Sequence, residues 1–187
     1  MFKMYVDPHI DLTLLEPYMA EEYLALVEQN REHLQTWLPW PRQMRSTDDA
    51  MHFIARTRKQ WVQDEGFTAG VLYKGELCGI AGYNSLNRKQ GHIALGYWLG
   101  QAYLGKGIMR KVCSRLIDYA FDIMGLHRIE IRTEVSNVKS RAIPEKLGFT
   151  EEGIARHAAY VNDTYVDHVI YGLLAEEWNQ RRNCSYT

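Results

Sequence analysis

The stretch Gly96-Tyr97-Trp98-Leu99-Gly100-Gln101-Ala102-Tyr103-Leu104-Gly105-Lys106-Gly107-Ile108-Met109-Arg110 decides the fold. An apolar, strand-like run enters a glycine-rich turn, and the turn opens a long amphipathic helix. Ile108, Met109, Val112, Cys113, Leu116, Ile117, Ala120, Phe121 and Met124 recur at spacings of three and four. They form one wide stripe that packs on a sheet, with Gly125 as the C-cap. A glycine turn at a helix start aims several backbone N–H groups at one point, where the helix dipole favours an anion.

Gly100 to Lys106 fit the first seven positions of the phosphate loop G-x-x-x-x-G-K-[ST]. The eighth position needs a hydroxyl for Mg²⁺ and holds Gly107 instead, which argues against a nucleotide hydrolase. Two readings of the turn remain: a cradle that takes a pyrophosphate on amides without metal, or a plain tight turn.

Working outward, 187 residues are enough to bury a real core, and one domain over residues 1–187 is expected. A net charge of −1 gives no global field for nucleic acid or an anionic membrane. No apolar run approaches a membrane span, and Met1 to Asp7 lack the apolar core of a signal peptide. Cys78, Cys113 and Cys184 are odd in number and scattered, as expected of reduced thiols in a cytoplasmic protein. No Cys/His cluster has metal-ligand spacing, so no metal is expected.

The remaining elements read as follows. Ile10 to Leu15 is a first strand, and Glu16-Pro17 opens a helix to about Asn30. Trp37 to Pro41 is an aromatic, proline-broken loop. Thr47-Asp48-Asp49 is an N-cap with an acidic first turn, starting a helix to about Asp64. Phe67 to Tyr73 and Leu77 to Tyr83 are strands joined by Lys74-Gly75-Glu76, and Ile93 to Leu99 is another strand. His127 to Val135 alternates strictly, with Ile129, Ile131, Thr133 and Val135 on one face. Asn137 to Leu147 is a short helix closed by Gly148, and strands follow near Phe149 to Glu152 and Tyr165 to Leu174. This order predicts an α/β or α+β sandwich.

The order of strand, glycine turn, long helix, strand, Asn-x-x-Ser helix and Leu-Gly-Phe resembles the GNAT N-acetyltransferase superfamily. Leu104 to Met109 fall on its Q/R-x-x-G-x-G/A motif, and Asn137 to Phe149 on its asparagine helix. Gln29 to Trp40, Gly96 to Leu99, and the tail through Tyr160 to Asp163, Asp167-His168 and Glu176 to Trp178 resemble the RimJ/RimL type. That type acetylates N-terminal amines of ribosomal proteins.

The resemblance implies a central twisted mixed sheet flanked by helices on both faces. It implies acetyl-CoA as co-substrate, with amides of Leu104, Gly105, Lys106, Gly107, Ile108 and Met109 on the pyrophosphate. It implies Tyr97, Trp98 and Leu99 along pantetheine, with one of their N–H groups on the oxyanion. Asn137 then helps hold CoA, and the Ser140 hydroxyl protonates the leaving thiolate. Both residues also read as a plain helix start. Trp37, Trp40, Tyr160, Asn162 and Asp167 are implied on the acceptor side. The acceptor is a protein N-terminus, ribosomal by resemblance, or a small amine. A homodimer is compatible with this reading, and a non-catalytic acyl-CoA-binding module is the alternative from another class. A glutamate frequent in this family is replaced by Ala94. The base must then be water or a group elsewhere, with His92, Glu130, Glu134, Asp167 and His168 as candidates.

Overall fold

A computed structural model describes residues 3–184. Its centre is an eight-stranded sheet in the order β1-β2-β3-β4-β5-β6-β8-β7. The strands are β1 (Lys3–Asp7), β2 (Ile10–Leu14), β3 (Phe67–Tyr73), β4 (Glu76–Asn87), β5 (His92–Leu99), β6 (Arg128–Glu134), β7 (Thr150–Val161) and β8 (Thr164–Leu174). Every neighbouring pair is antiparallel except β5–β6. The helices are α1 (Ala20–Gln29), α2 (Arg31–Gln35), α3 (Thr47–Val62), α4 (Ile108–Asp118), α5 (Val138–Leu147) and α6 (Ala175–Cys184).

Helices cover both faces of the sheet, as the resemblance implies. On one face the α4 stripe of Ile108, Val112, Cys113, Leu116 and Ile117 packs with Ile93, Leu95, Ile129 and Ile131. On the other, Tyr23 and Val27 of α1 and Ala50 and Ile54 of α3 pack on Leu72, Leu77 and Ile80. Alternation along β5 serves both layers: Ile93, Leu95 and Leu99 face α4, while Trp98 joins the α1/α3 side.

Several local readings are corrected. The cap of α3 is Ser46, not Thr47: Ser46 Oγ accepts from Asp49 N at 3.2 Å, and Asp49 Oδ2 accepts from Ser46 N at 2.9 Å. Asp49 at the third helical position makes this reciprocal box, which Thr47 as cap could not. The first predicted helix is split, with a 3₁₀ turn at Pro17–Met19 before α1 and a separate α2 after Asn30. The helix after the glycine turn leaves α geometry at Asp118 and ends in a π-type turn at Tyr119–Ile123, where Met124 N donates to Tyr119 O at 3.0 Å. Strand β1 and helix α6 were not anticipated, and β7 runs nine residues beyond the predicted Glu152 end. Lys74 (φ 55°) and Gly75 (φ 89°) form the two-residue turn between β3 and β4, the twist-matched hairpin connection.

One feature of the sheet makes the site. The parallel pairing of β5 and β6 is confined to His92↔Arg128, Ile93↔Ile129 and Ala94↔Glu130. Beyond it β5 continues to Leu99 on β4, and β6 continues to Glu134 on β8. The two strands therefore part, and a wedge opens in the middle of the sheet.

Candidate active site

The glycine turn stands at the mouth of this wedge. Gly105 (φ 77°) and Gly107 (φ 73°) are both left-handed, which L side chains rarely adopt, and no atom lies within 4 Å of a Cβ built on either. The backbone amides of Gly105, Lys106, Gly107, Ile108, Met109 and Arg110 find no acceptor among the described residues. Ile108 to Arg110 are the first turn of α4, whose amides are left open by helix geometry. The Lys106 ammonium turns aside, 5.2 Å from the Tyr103 ring centroid and 5.7 Å from that of Tyr73. The open N–H groups are thus the donors the turn presents.

A cavity of about 540 Å³ fills the wedge. Tyr97, Trp98 and Leu99 of β5 form one wall, Arg132, Thr133 and Glu134 of β6 the other. Leu104, Met109, Asn137, Ser140 and Trp37 also line it. Asn137 caps α5, its Oδ1 accepting from Ser140 N at 3.1 Å. The Tyr97 hydroxyl donates to the Ser140 carbonyl at 3.0 Å. Burial holds the Tyr97 hydroxyl well above the ordinary tyrosine range, so it stays a neutral donor. Thr133 Oγ1 is buried and without a hydrogen-bond partner, the one such side-chain atom among the described residues.

A second cavity of about 580 Å³ lies on the α1/α3 face. Its walls are aromatic: Tyr23 stacks on Phe53 at 4.9 Å, and Trp98 sits 6.3 Å from Tyr23 and 5.9 Å from Trp40. His52, Arg56 and Asn84 add polar groups. Both cavities are lined by Leu38, Tyr97 and Trp98, so they adjoin across strand β5.

The remaining anticipated residues are placed differently. Asn162 lines neither cavity but accepts from Arg42 at 2.8 Å and donates to Gln35 O at 2.9 Å, tying the β7–β8 turn to the aromatic loop. Tyr160 is exposed and packs edge-on to Tyr165 at 4.9 Å. Asp167 Oδ1 accepts from His157 N at 2.8 Å and holds the bulge in β7. Among the base candidates, Glu130 is paired with Arg128 at 3.1 Å and Arg132 at 2.6 Å. Glu134 accepts from Ser136 N and Oγ, and His92 sits at the closed end of the wedge. His168 does line the wedge, and burial lowers its pKa. Sequence reasoning missed Thr133 as a lining residue and all of Tyr23, Phe53, His52, Arg56 and Asn84, which only the packing of α1 and α3 brings together.

Residues 11–150 match the family model for the GNAT acetyltransferase domain. The chain belongs to the GNAT acetyltransferase family. It is 41% identical over 179 residues, 95% of this chain and 98% of the relative, to "Putative ribosomal N-acetyltransferase YdaF" of Bacillus subtilis (strain 168). It is 25% identical over 171 residues to the ribosomal-protein-serine acetyltransferase of Escherichia coli (strain K12), covering 91% and 96% of the two chains. Among solved structures, the microcin C7 self-immunity acetyltransferase MccE, in complex with acetyl-CoA and AMP, superposes with a TM-score of 0.88. That match is at 28% identity and covers 90% and 94% of the two chains. The chain is therefore an acetyl-CoA-dependent N-acetyltransferase of the GNAT type.

The residues present fit acetyl-CoA. Open amides at a helix start suit a pyrophosphate, and an orphaned hydroxyl lies in the wall of a wedge wide enough for a pantetheine arm. Among the described residues no group of three His, Cys, Asp or Glu stands close enough to hold a metal ion. No helix among them is long and apolar enough to cross a membrane.

Proposed function

We propose that this GNAT enzyme acetylates the N-terminal amine of a protein, with a ribosomal protein as acceptor. The observation that carries the reading is the junction at Tyr97 and Trp98, which belong to both cavities. A thioester in the wedge and an amine in the aromatic cavity would meet at that strand. The ribosomal acceptor is supported by the names of the two relatives above.

Each residue then has a task. Amides of Gly105 to Met109 hold the pyrophosphate, whereas the Leu104 amide, also expected there, is taken by Gln101 O at 3.3 Å. The free edge of β5 from Tyr97 to Leu99 pairs with pantetheine, and one of its N–H groups receives the developing oxyanion. The Ser140 hydroxyl guides a proton to the departing thiolate, and Asn137 fixes the helix that carries Ser140. Trp40 walls the acceptor cavity and Trp37, expected beside it, stands in the wedge, while Asn162 holds the loop that carries both. Tyr160 and Asp167 support the neighbouring turn. An N-terminal amine has a pKa near ~8, so a useful fraction is neutral at pH 7–8 and a strong base is not required. The chain works as one catalytic domain in the cytoplasm, and a homodimer is consistent with this role.

A second reading, transfer to a small-molecule amine, is favoured by the stacked aromatic walls of the acceptor cavity and by the likeness to MccE. The experiment is thiol release from acetyl-CoA with peptides bearing free N-termini beside spermidine and aminoacyl nucleotides. Turnover with the peptides, absent when their N-termini are blocked, is expected. Efficient turnover of the small amines alone would replace the protein acceptor.

A further inference from the structure

The floor of the acceptor cavity carries no bulky side chain at one place. Gly82 and Gly96 face each other across β4 and β5, and both line the cavity. The Phe67–Thr68 backbone closes over Gly82, and Asn84 leans over Gly96. A Cβ on Gly96 would stand 2.7 Å from Asn84 Nδ2, so the carboxamide lies directly over the residue before Tyr97. That is beside the strand segment at which the two cavities adjoin.

Three further facts single out this side chain. Asn84 is exposed, and its side chain makes no hydrogen bond among the described residues, although it has both a donor and an acceptor. The β4–β5 register slips directly after it, between Asn84 and Asn87. Ser85, inside that slip, takes φ 52°, an uncommon conformation for a residue other than glycine. Bulges of this kind re-aim a neighbouring side chain. Here the re-aimed side chain is Asn84.

The ionisable groups of the cavity are unsuited to hold an amine, and its two other side-chain acceptors, Gln43 and Thr68, are not the ones set over Gly96. Asp49 on α3 is engaged in the capping box. Arg56, also on α3, is a permanent cation and only donates. Tyr23 on α1 is buried. Tyr97 of β5 is held neutral by burial, and His52 of α3, which is exposed, is the remaining titratable group of the lining. An attacking amine must aim its lone pair at the thioester carbon, which requires an acceptor for one of its N–H bonds. We propose that Asn84 Oδ1 is that acceptor, making Asn84 an acceptor-binding residue that orients the amine without taking its proton. This rests on the reading that the acceptor amine enters the cavity of the α1/α3 face.

The test compares wild type with Asn84→Ala and Asn84→Asp, using a peptide with a free N-terminus and acetyl-CoA. Asn84→Ala should lower kcat/KM for the peptide about 10-fold, the loss of one hydrogen bond to a charged or developing partner. Its acetyl-CoA affinity by calorimetry and its melting temperature should match wild type. Asn84→Asp puts a carboxylate beside the bound ammonium, so the acid limb of its pH profile should move to higher pH. His52→Gln in the same background leaves that shift in place. Peptide kinetics within twofold of wild type in Asn84→Ala, or an unmoved acid limb in Asn84→Asp, would overturn the proposal. Failure of the underlying reading looks different. Filling the cavity from its exposed wall by His52→Trp would then leave peptide kinetics unchanged as well, and neither residue would border the acceptor.

Discussion

The Tyr97 hydroxyl donates at 3.0 Å to the one carbonyl of α5 that Pro144 deprives of its helical partner, that of Ser140. In an α-helix the Ser140 carbonyl would receive the N–H of residue 144, and proline has none. The strand on one side of the wedge thereby completes the helix on the other. The bond fixes the first turn of α5 against β5 at the level where Ser140 lines the cavity.

Removing that donor should be felt as stability. Tyr97→Phe keeps the packing and loses a buried hydrogen bond, leaving the Ser140 carbonyl unpaired. A cost of about 1–2 kcal/mol is expected, visible as a melting temperature lower by roughly 2–6 °C. Because the Tyr97 hydroxyl is held neutral by burial, the shape of the pH–rate profile should not change. An unchanged melting temperature would show that the bond carries no weight.

The pyrophosphate cradle is tested by two variants of one position. Asn and Asp both tolerate the left-handed conformation that Gly107 adopts, and a side chain there has open space. Gly107→Asn should weaken acetyl-CoA binding modestly by crowding the cradle. Gly107→Asp adds a negative charge where an anion must sit and should weaken it at least 10-fold more. Equal affinities for the two in calorimetry would place the pyrophosphate elsewhere.

These two tests rest on features of unequal visibility in the sequence. Gly105 and Gly107 were legible because a left-handed turn followed by a helical stripe is local chemistry. The wedge was not. The sequence of His92 to Leu99 looks like one buried strand, and nothing in it says that pairing with β6 stops at Ala94. That boundary is set by partners more than 30 residues away. Strand β7 reads short in the sequence because Glu151 to Tyr160, largely exposed, lacks the alternation of large apolar and polar residues. The acceptor cavity escaped for the same reason as the wedge: Tyr23, Phe53 and Asn84 come from three elements and share no motif. Asn162 reads in the sequence as a substrate contact, while its hydrogen bonds to Arg42 and Gln35 make it a brace of the aromatic loop.

Acid should unfold the protein in two separate phases. His33 and His168 line the wedge, and burial lowers both pKa values from 6.5, with Lys139 adding to the effect on His33. The unfolded chain then binds these protons more readily than the folded one. Stability should be full above about pH 6.5 and fall as pH drops below it, towards the folded-state values. Asp49, Asp64, Asp122 and Glu152 have pKa values lowered by hydrogen bonds to their partners, so their contribution is lost only below about pH 4. His168→Gln should diminish the first phase and leave the second. Denaturant midpoints measured between pH 4 and pH 8 would show one featureless decline if burial of the histidines were unimportant.

Ser140 is the residue on which the proposed proton transfer turns. Its amide and carbonyl are both occupied, by Asn137 Oδ1 and by the Tyr97 hydroxyl, so its backbone is pinned. Its side chain lines the wedge beside the Tyr97 hydroxyl, with which it interacts. A pinned backbone that sets the side chain in the wall of the wedge is what a group acting on a ligand requires. Ser140→Ala should then keep the fold and the acetyl-CoA affinity, because an interaction made only as the thiolate departs adds nothing to ground-state binding. Turnover should fall by about 10²-fold, the lower end of general-acid effects, since a serine hydroxyl is a weak acid and acts largely by positioning. The helix start is no obstacle to this test, for the cap is made by Asn137 and not by the Ser140 side chain. Full turnover in the alanine variant, with a peptide acceptor at saturation, would remove Ser140 from the chemistry and leave water as the proton source.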